Sequence, residues 1–112
     1  IRIKSDGTQT VEPVAASDDA GNLNPVPIAF NGDRLVLELY GTGIRQRSSL
    51  VNTLVYFNGL AKIPTYAGAQ SEYWGLDQVN VELPPSLAGA GFVDVVLEAD
   101  GRFSNDVALV FR

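Results

Sequence analysis

Apolar and polar residues alternate with a period of two in several stretches of this chain, which is the signature of strands that bury one face. Within Asp33–Tyr40 the side chains of Leu35, Leu37 and Leu39 share one face, opposite Arg34, Val36 and Glu38. Within Asp77–Leu83, Val79, Val81 and Leu83 lie opposite Gln78, Asn80 and Glu82. Val93, Val95 and Leu97 oppose Asp94 and Glu98, and Val107, Leu109 and Phe111 oppose Asp106 and Arg112. Four half-buried strands follow from these patterns. No long segment carries the i, i+3, i+4, i+7 apolar spacing of an amphipathic helix.

Turn chemistry supplies the connections, because Asn-Gly and Asp-Gly provide the positive φ angles of tight hairpins. Asn58-Gly59 is predicted to join Thr53–Phe57 to Leu60–Tyr66, and Asp100-Gly101 to join the last two strands. Asp6-Gly7 marks a further hairpin between Ile1–Lys4 and Thr8–Val14, with weaker alternation. Ser17–Asn24 reads as a polar loop, and Pro25 and Pro27 place an edge or irregular strand through Phe30, since proline cannot donate to a ladder. The one helical candidate is a single turn over Pro84–Gly89, with Ser86 as cap and Gly89 as terminator. Closely spaced strands with Gly/Pro turns predict an all-β chain folded as a sandwich of two antiparallel sheets. At 112 residues, with no internal repeat or linker, residues 1–112 are expected to form one domain.

Composition narrows the chemistry. Hydrophobic residues make up 46% and charged residues 19%, which suits a folded chain rather than a disordered one. A net charge of −5 withholds the positive field that phosphate contacts require, so nucleic acid is not an expected partner. Apolar runs such as Val93–Leu97 fall far short of the ~20 residues a spanning helix needs. With no Cys, disulfides and thiolate chemistry are excluded, and with no His the commonest general base and metal ligand is missing. The start at Ile1 suggests a processed form or a fragment of a larger protein.

The stretches Tyr40–Leu50 (YGTGIRQRSSL), Gly75–Pro84 (GLDQVNVELP), Ser86–Gly91 (SLAGAG) and Val93–Asn105 (VDVVLEADGRFSN) closely resemble a C-terminal domain family of long exported acidobacterial-type proteins. The layout also resembles the IPT/TIG immunoglobulin-like class. The resemblance implies an immunoglobulin-like antiparallel β-sandwich, a secreted or cell-surface location, neighbouring β domains as partners and no established biochemical activity.

The residues themselves offer little catalysis. Ser48-Ser49 lacks a histidine base and reads as a polar turn, and Glu82, Asp94 and Glu98 fall on outward faces where a raised pKa is not expected. Asp18, Asp19, Asn22 and Asn24 surround Gly21, the one place to weigh a calcium ion, yet they lack the spacing of a calcium loop. No metal or cofactor is assigned. A Lys62–Asn105 cross-link is conceivable on composition alone. Asp77 and Asn105 share parity with the inward residues of their strands and are expected to tie loops to the sheet. Tyr73 and Trp74 are adjacent in the connection 67–76, so in an extended stretch one points inward and one outward; Trp74 beside the Gly75 bend is the expected outward one. Trp74, Tyr73 and Tyr66 are the candidate partner contacts. The expected function is a non-catalytic structural or interaction module outside the cell. The alternatives are a filament or surface-layer subunit built from identical copies by β-strand pairing, and a carbohydrate-binding module.

Overall fold

Strands form where alternation is strongest, and the longest of them build the core. The structure, a computed structural model, describes residues 1–42, 53–72 and 74–112. Its strands are β1 (Arg2–Ile3), β2 (Gln9–Thr10), β3 (Ala15–Ser17), β4 (Leu23–Pro25), β5 (Arg34–Gly41), β6 (Thr53–Phe57), β7 (Leu60–Lys62), β8 (Tyr66–Ala69), β9 (Asp77–Glu82), β10 (Gly91–Ala99), β11 (Arg102–Phe103) and β12 (Val107–Phe111). One sheet runs β2-β1-β5-β9-β8, and a second runs β11-β10-β6-β7 with β12 also paired to β10. The strand pairings are antiparallel, and a parallel bridge joins Ile28 to Phe111. Leu35, Leu37, Ala67, Val79 and Val81 from the first sheet meet Val55, Phe57, Val93, Val95, Leu109 and Phe111 from the second in one buried cluster. The chain is therefore all-β, in a sandwich-like arrangement of two sheets around a shared core.

Four expected elements take a different form. The strand after Asn58-Gly59 ends at Lys62 rather than Tyr66, because Pro64 cannot continue the ladder and restricts Ile63; the chain crosses over and returns as β8 in the other sheet. Ser17–Asn24 is part of a hairpin rather than an open loop, with Ser17 closing β3, Leu23 and Asn24 opening β4, and the turn between them. The turn after β9 is a short 3-10 turn, Pro85–Leu87, preceded by Pro84 and without a side-chain cap, so Ser86 lies inside it instead of capping it. The last strand is also shorter on its buried side than alternation implies, since Val107 is 46% exposed while Leu109 and Phe111 are buried.

Arg2 holds the N-terminal hairpin to the rest of the fold. It lies opposite Leu35 and is 8% exposed. Nε and Nη2 donate to the two oxygens of Glu12 at 2.5 and 3.1 Å. Nη1 donates to the Phe30 carbonyl at 2.8 Å and to Asp33 Oδ2 at 3.1 Å, and Nη2 also donates to the Ala29 carbonyl at 2.7 Å. Five bonds match the five guanidinium donors. One side chain thus joins β1, the stretch after β2 and the loop before β5.

Thr53 shows the opposite balance. It is fully buried at the start of β6, and its Oγ1 has no hydrogen-bond partner among the described residues. Replacing it with valine removes an unsatisfied hydroxyl while keeping the branched shape, so Thr53→Val is expected to raise stability by about 1 kcal/mol in urea denaturation. An equal loss would mean the hydroxyl is bonded.

Candidate interaction surfaces

The two sheets turn different faces to solvent. The outward residues of the first sheet are tied to one another by polar contacts: Arg34 pairs with Glu82, the Gln78 side chain donates to Asn80 at 2.8 Å, and the Tyr40 hydroxyl donates to Glu38. That is the usual solvated face of an antiparallel sheet.

The second sheet departs from this rule. Register places Val96 beside Tyr56, Glu98 between Leu54 and Phe103, and Phe92 beside Val110, all on the face away from the core. Phe92 is 73% exposed and Phe103 66%. The Tyr56 and Phe103 rings lie 6.4 Å apart at 39°. The Tyr56 hydroxyl donates to Glu98 at 2.6 Å, and that bond to a carboxylate raises the Tyr56 pKa above its ordinary value. The arrangement is an aromatic and aliphatic platform with Asp94 and Glu98 set into it. Several apolar residues exposed on one face in this way mark a candidate contact surface. Its sequence signal is β10 itself, which carries apolar residues at both parities: Phe92 and Val96 outward, Val93 and Val95 inward.

The residues proposed from sequence are placed as follows. Trp74 is fully exposed, beside Gly75 at φ +75°, and so contributes no core packing. Tyr73 lies outside the described residues, as do Ser48 and Ser49. Tyr66 is 43% exposed; its hydroxyl donates to the Ala69 carbonyl at 2.6 Å, and its ring folds over Gly68, where a Cβ would meet the hydroxyl at 3.0 Å. The ring pairs among the described residues are Phe30–Phe111 and Tyr56–Phe103, so Trp74 and Tyr66 do not form a joint platform.

Asp77 is 1% exposed, shares the inward parity of Val79 and Val81, and is partnered. Asn105 is exposed, and the neighbouring Ser104 is what fastens its loop. Ser104 Oγ accepts from the Leu97 N–H at 2.9 Å and donates to the Asn105 carbonyl at 2.8 Å, while the Ser104 N–H donates to the Leu97 carbonyl at 2.7 Å. Asn105 is therefore not the inward anchor that parity suggested; the loop is fastened at the surface by Ser104. Lys62 in β7 and Asn105 between β11 and β12 sit at opposite edges of the second sheet, which separates the conceived cross-link pair by two strands.

The acidic cluster at Asp18 is a turn staple. Its Oδ1 accepts from the N–H groups of Ala20 and Asn22, each at 2.9 Å, and its Oδ2 from the Asn24 amide at 3.1 Å. Those bonds, the Asn22 N–H first and the Asn24 amide next, lower the carboxyl pKa. Both Asp18 oxygens thus face donors of their own hairpin.

No protein-family model, curated protein or solved structure is matched by this chain.

Proposed function

We propose that this chain is a non-catalytic structural and interaction module of immunoglobulin-like, IPT/TIG-like type, working at the cell surface or in the extracellular space against other β domains. The observation that carries the reading is the apolar outer face of the second sheet around Phe92, Tyr56, Val96 and Phe103, set against an outer face on the first that is laced by the Arg34–Glu82, Gln78–Asn80 and Tyr40–Glu38 contacts. Strand order supports the fold type: β1-β5-β9-β8 facing β12-β10-β6-β7 follows the A-B-E-D and G-F-C arrangement of that class, with β7 as an added strand. The resemblance of Gly75–Pro84 and Val93–Asn105 to a C-terminal module of exported proteins supports the location.

A self-assembling subunit is the second reading. Every copy presents the same face, so two copies can cover each other about a two-fold axis. Carbohydrate binding draws on Trp74, with no second ring paired to it among the described residues.

Sedimentation of the chain and of a Phe92→Asp/Phe103→Asp variant tests the reading. The unmodified chain is expected to associate with rising concentration, and the variant to weaken association at least ~tenfold, because two large exposed anchors are replaced by charge. Both substitutions are at the surface, so unfolding free energy should change by no more than about 0.5 kcal/mol each. A chain that stays monomeric up to ~1 mM would remove self-contact through this face.

A further inference from the structure

The outer face of the first sheet carries two tyrosines on either side of a pair of amides. Register sets Tyr40 beside Gln78 and Gly68 in one row, and Glu38 beside Asn80 and Tyr66 in the next. All six have the parity opposite to Leu37, Ala67, Val79 and Val81, which face the core.

Both rings are held along their strands rather than standing off the sheet. The Tyr66 hydroxyl donates to the Ala69 carbonyl, so its ring lies over Gly68; the Tyr40 hydroxyl donates to Glu38, so that side chain leans back along β5. Gly68 has no positive φ to require glycine. What it supplies is room, since a Cβ there would meet the Tyr66 hydroxyl at 3.0 Å and its Cζ at 3.3 Å. Both tyrosines are exposed. On β9 between them, Gln78 Nε2 donates to Asn80 Oδ1 at 2.8 Å. That bond leaves the Gln78 oxygen and the Asn80 nitrogen without a side-chain partner among the described residues. The rings therefore stand two strand spacings apart, ~10 Å, with a free donor and a free acceptor over the strand between them.

A sugar ring has an apolar C–H face and a rim of hydroxyls that both donate and accept. Aromatic faces suit the first, and amides and carboxylates the second. In an extended β-linked glycan the units repeat at close to the strand spacing, so successive rings fall over β5, β9 and β8. An apolar protein surface laid on the two tyrosines would bury the amides and Glu38 without partners. Nucleic acid is opposed by Glu38 and Glu82 on the same face.

We infer that this face is a carbohydrate-binding site for an extended, neutral glycan lying across β5, β9 and β8. Sugar units stack on Tyr40 and Tyr66, and their hydroxyls bond to Gln78, Asn80 and Glu38. Trp74, in the connection between β8 and β9, is not needed. The site lies on the opposite sheet from the Phe92–Phe103 face, so it stands or falls separately from the docking role of that face.

The test is an NMR titration of the isotopically labelled chain with cellohexaose up to ~10 mM. Saturable amide shifts are expected to centre on Gly68, Gln78 and Asn80. Maltohexaose, whose α-linked chain coils, should bind at least ~tenfold more weakly. Tyr40→Ala and Tyr66→Ala should each weaken cellohexaose binding at least ~tenfold. Gly68→Ala should weaken it too, although it removes no group that touches sugar, because its Cβ displaces the Tyr66 ring. No saturable shifts, shifts centred on Trp74 or on Phe92 and Phe103, equal binding of maltohexaose, or folded tyrosine variants that bind like the unmodified chain would each overturn the proposal. The titrations with the two sugars use the unmodified chain, so they decide the matter even if a variant does not fold.

Discussion

Arg2→Ala is expected to cost about 3 kcal/mol of unfolding free energy, a large loss for a residue so near the start of the chain. Arg2 uses five donors on four partners, and two of these are main-chain carbonyls, at Ala29 and Phe30. Removing the guanidinium leaves carbonyls facing a cavity and two carboxylates without their cation. Losing one member of a fully buried charge group costs ~3–5 kcal/mol. The Glu12 side chain is 48% exposed and Asp33 19%, so water recovers part of that. Arg2→Lys should still cost about 2 kcal/mol, because one ammonium cannot reproduce a planar fork reaching three segments. Urea denaturation of the three proteins measures both; a change below about 0.5 kcal/mol for the alanine variant would show that the clasp contributes nothing.

The same clasp sets a pH dependence. Arg2, chiefly by its hydrogen bond, holds the Glu12 carboxyl below the usual carboxylate range. A carboxyl depressed in the folded state adds stability above its unfolded pKa and loses it as pH falls through the folded one. The gap between the unmodified protein and Arg2→Ala should therefore be full at neutral pH and narrow on acidification below the unfolded carboxylate range.

Arg2 was not legible as a core residue, and the reason is physical. In Ile1-Arg2-Ile3 alternation alone would turn the isoleucines inward; the structure turns Arg2 inward because Glu12, Asp33 and two carbonyls, all distant in sequence, converge there. Where burial needs no such convergence, the pattern sufficed: Leu35, Leu37, Val79, Val81, Val93 and Val95 are all in the core. The turns at Asn58 and Asp100 were equally readable, since both residues adopt the positive φ that their Asn-Gly and Asp-Gly pairs favour. Sheet assignment was not. That β7 and β8 part at Pro64 and join different sheets depends on which partner each meets, a non-local property that period-two spacing does not encode.

The candidate surface was hidden for a related reason. Exposed Trp74 was marked by its place in a connection, yet the broader apolar face is built from β6, β10 and β11, where strand residues read as core by composition. Phe92 and Phe103 become surface residues only once register assigns their parity.

Phe111→Ala is the substitution that best separates the inside of the second sheet from its outside, and it is expected to cost about 4 kcal/mol. Phe111 is 2% exposed and stacks on Phe30 at 5.9 Å with an 18° interplanar angle. It also sits where β12 pairs with Gly91 of β10 and bridges in parallel to Ile28. Truncation therefore opens a cavity at the junction of three segments, and buried Phe→Ala changes cost ~3–5 kcal/mol. Part of that cost belongs to the ring pair, so a double-mutant cycle with Phe30→Ala should return a coupling of about 1 kcal/mol. Phe92, one residue from Gly91 but on the opposite parity, provides the contrast: with 73% of it in solvent, Phe92→Ala should change stability by no more than about 0.5 kcal/mol. Denaturation of the two single variants side by side is the measurement, and comparable losses at Phe92 and Phe111 would mean that the outer face is covered within the folded chain and is no docking surface.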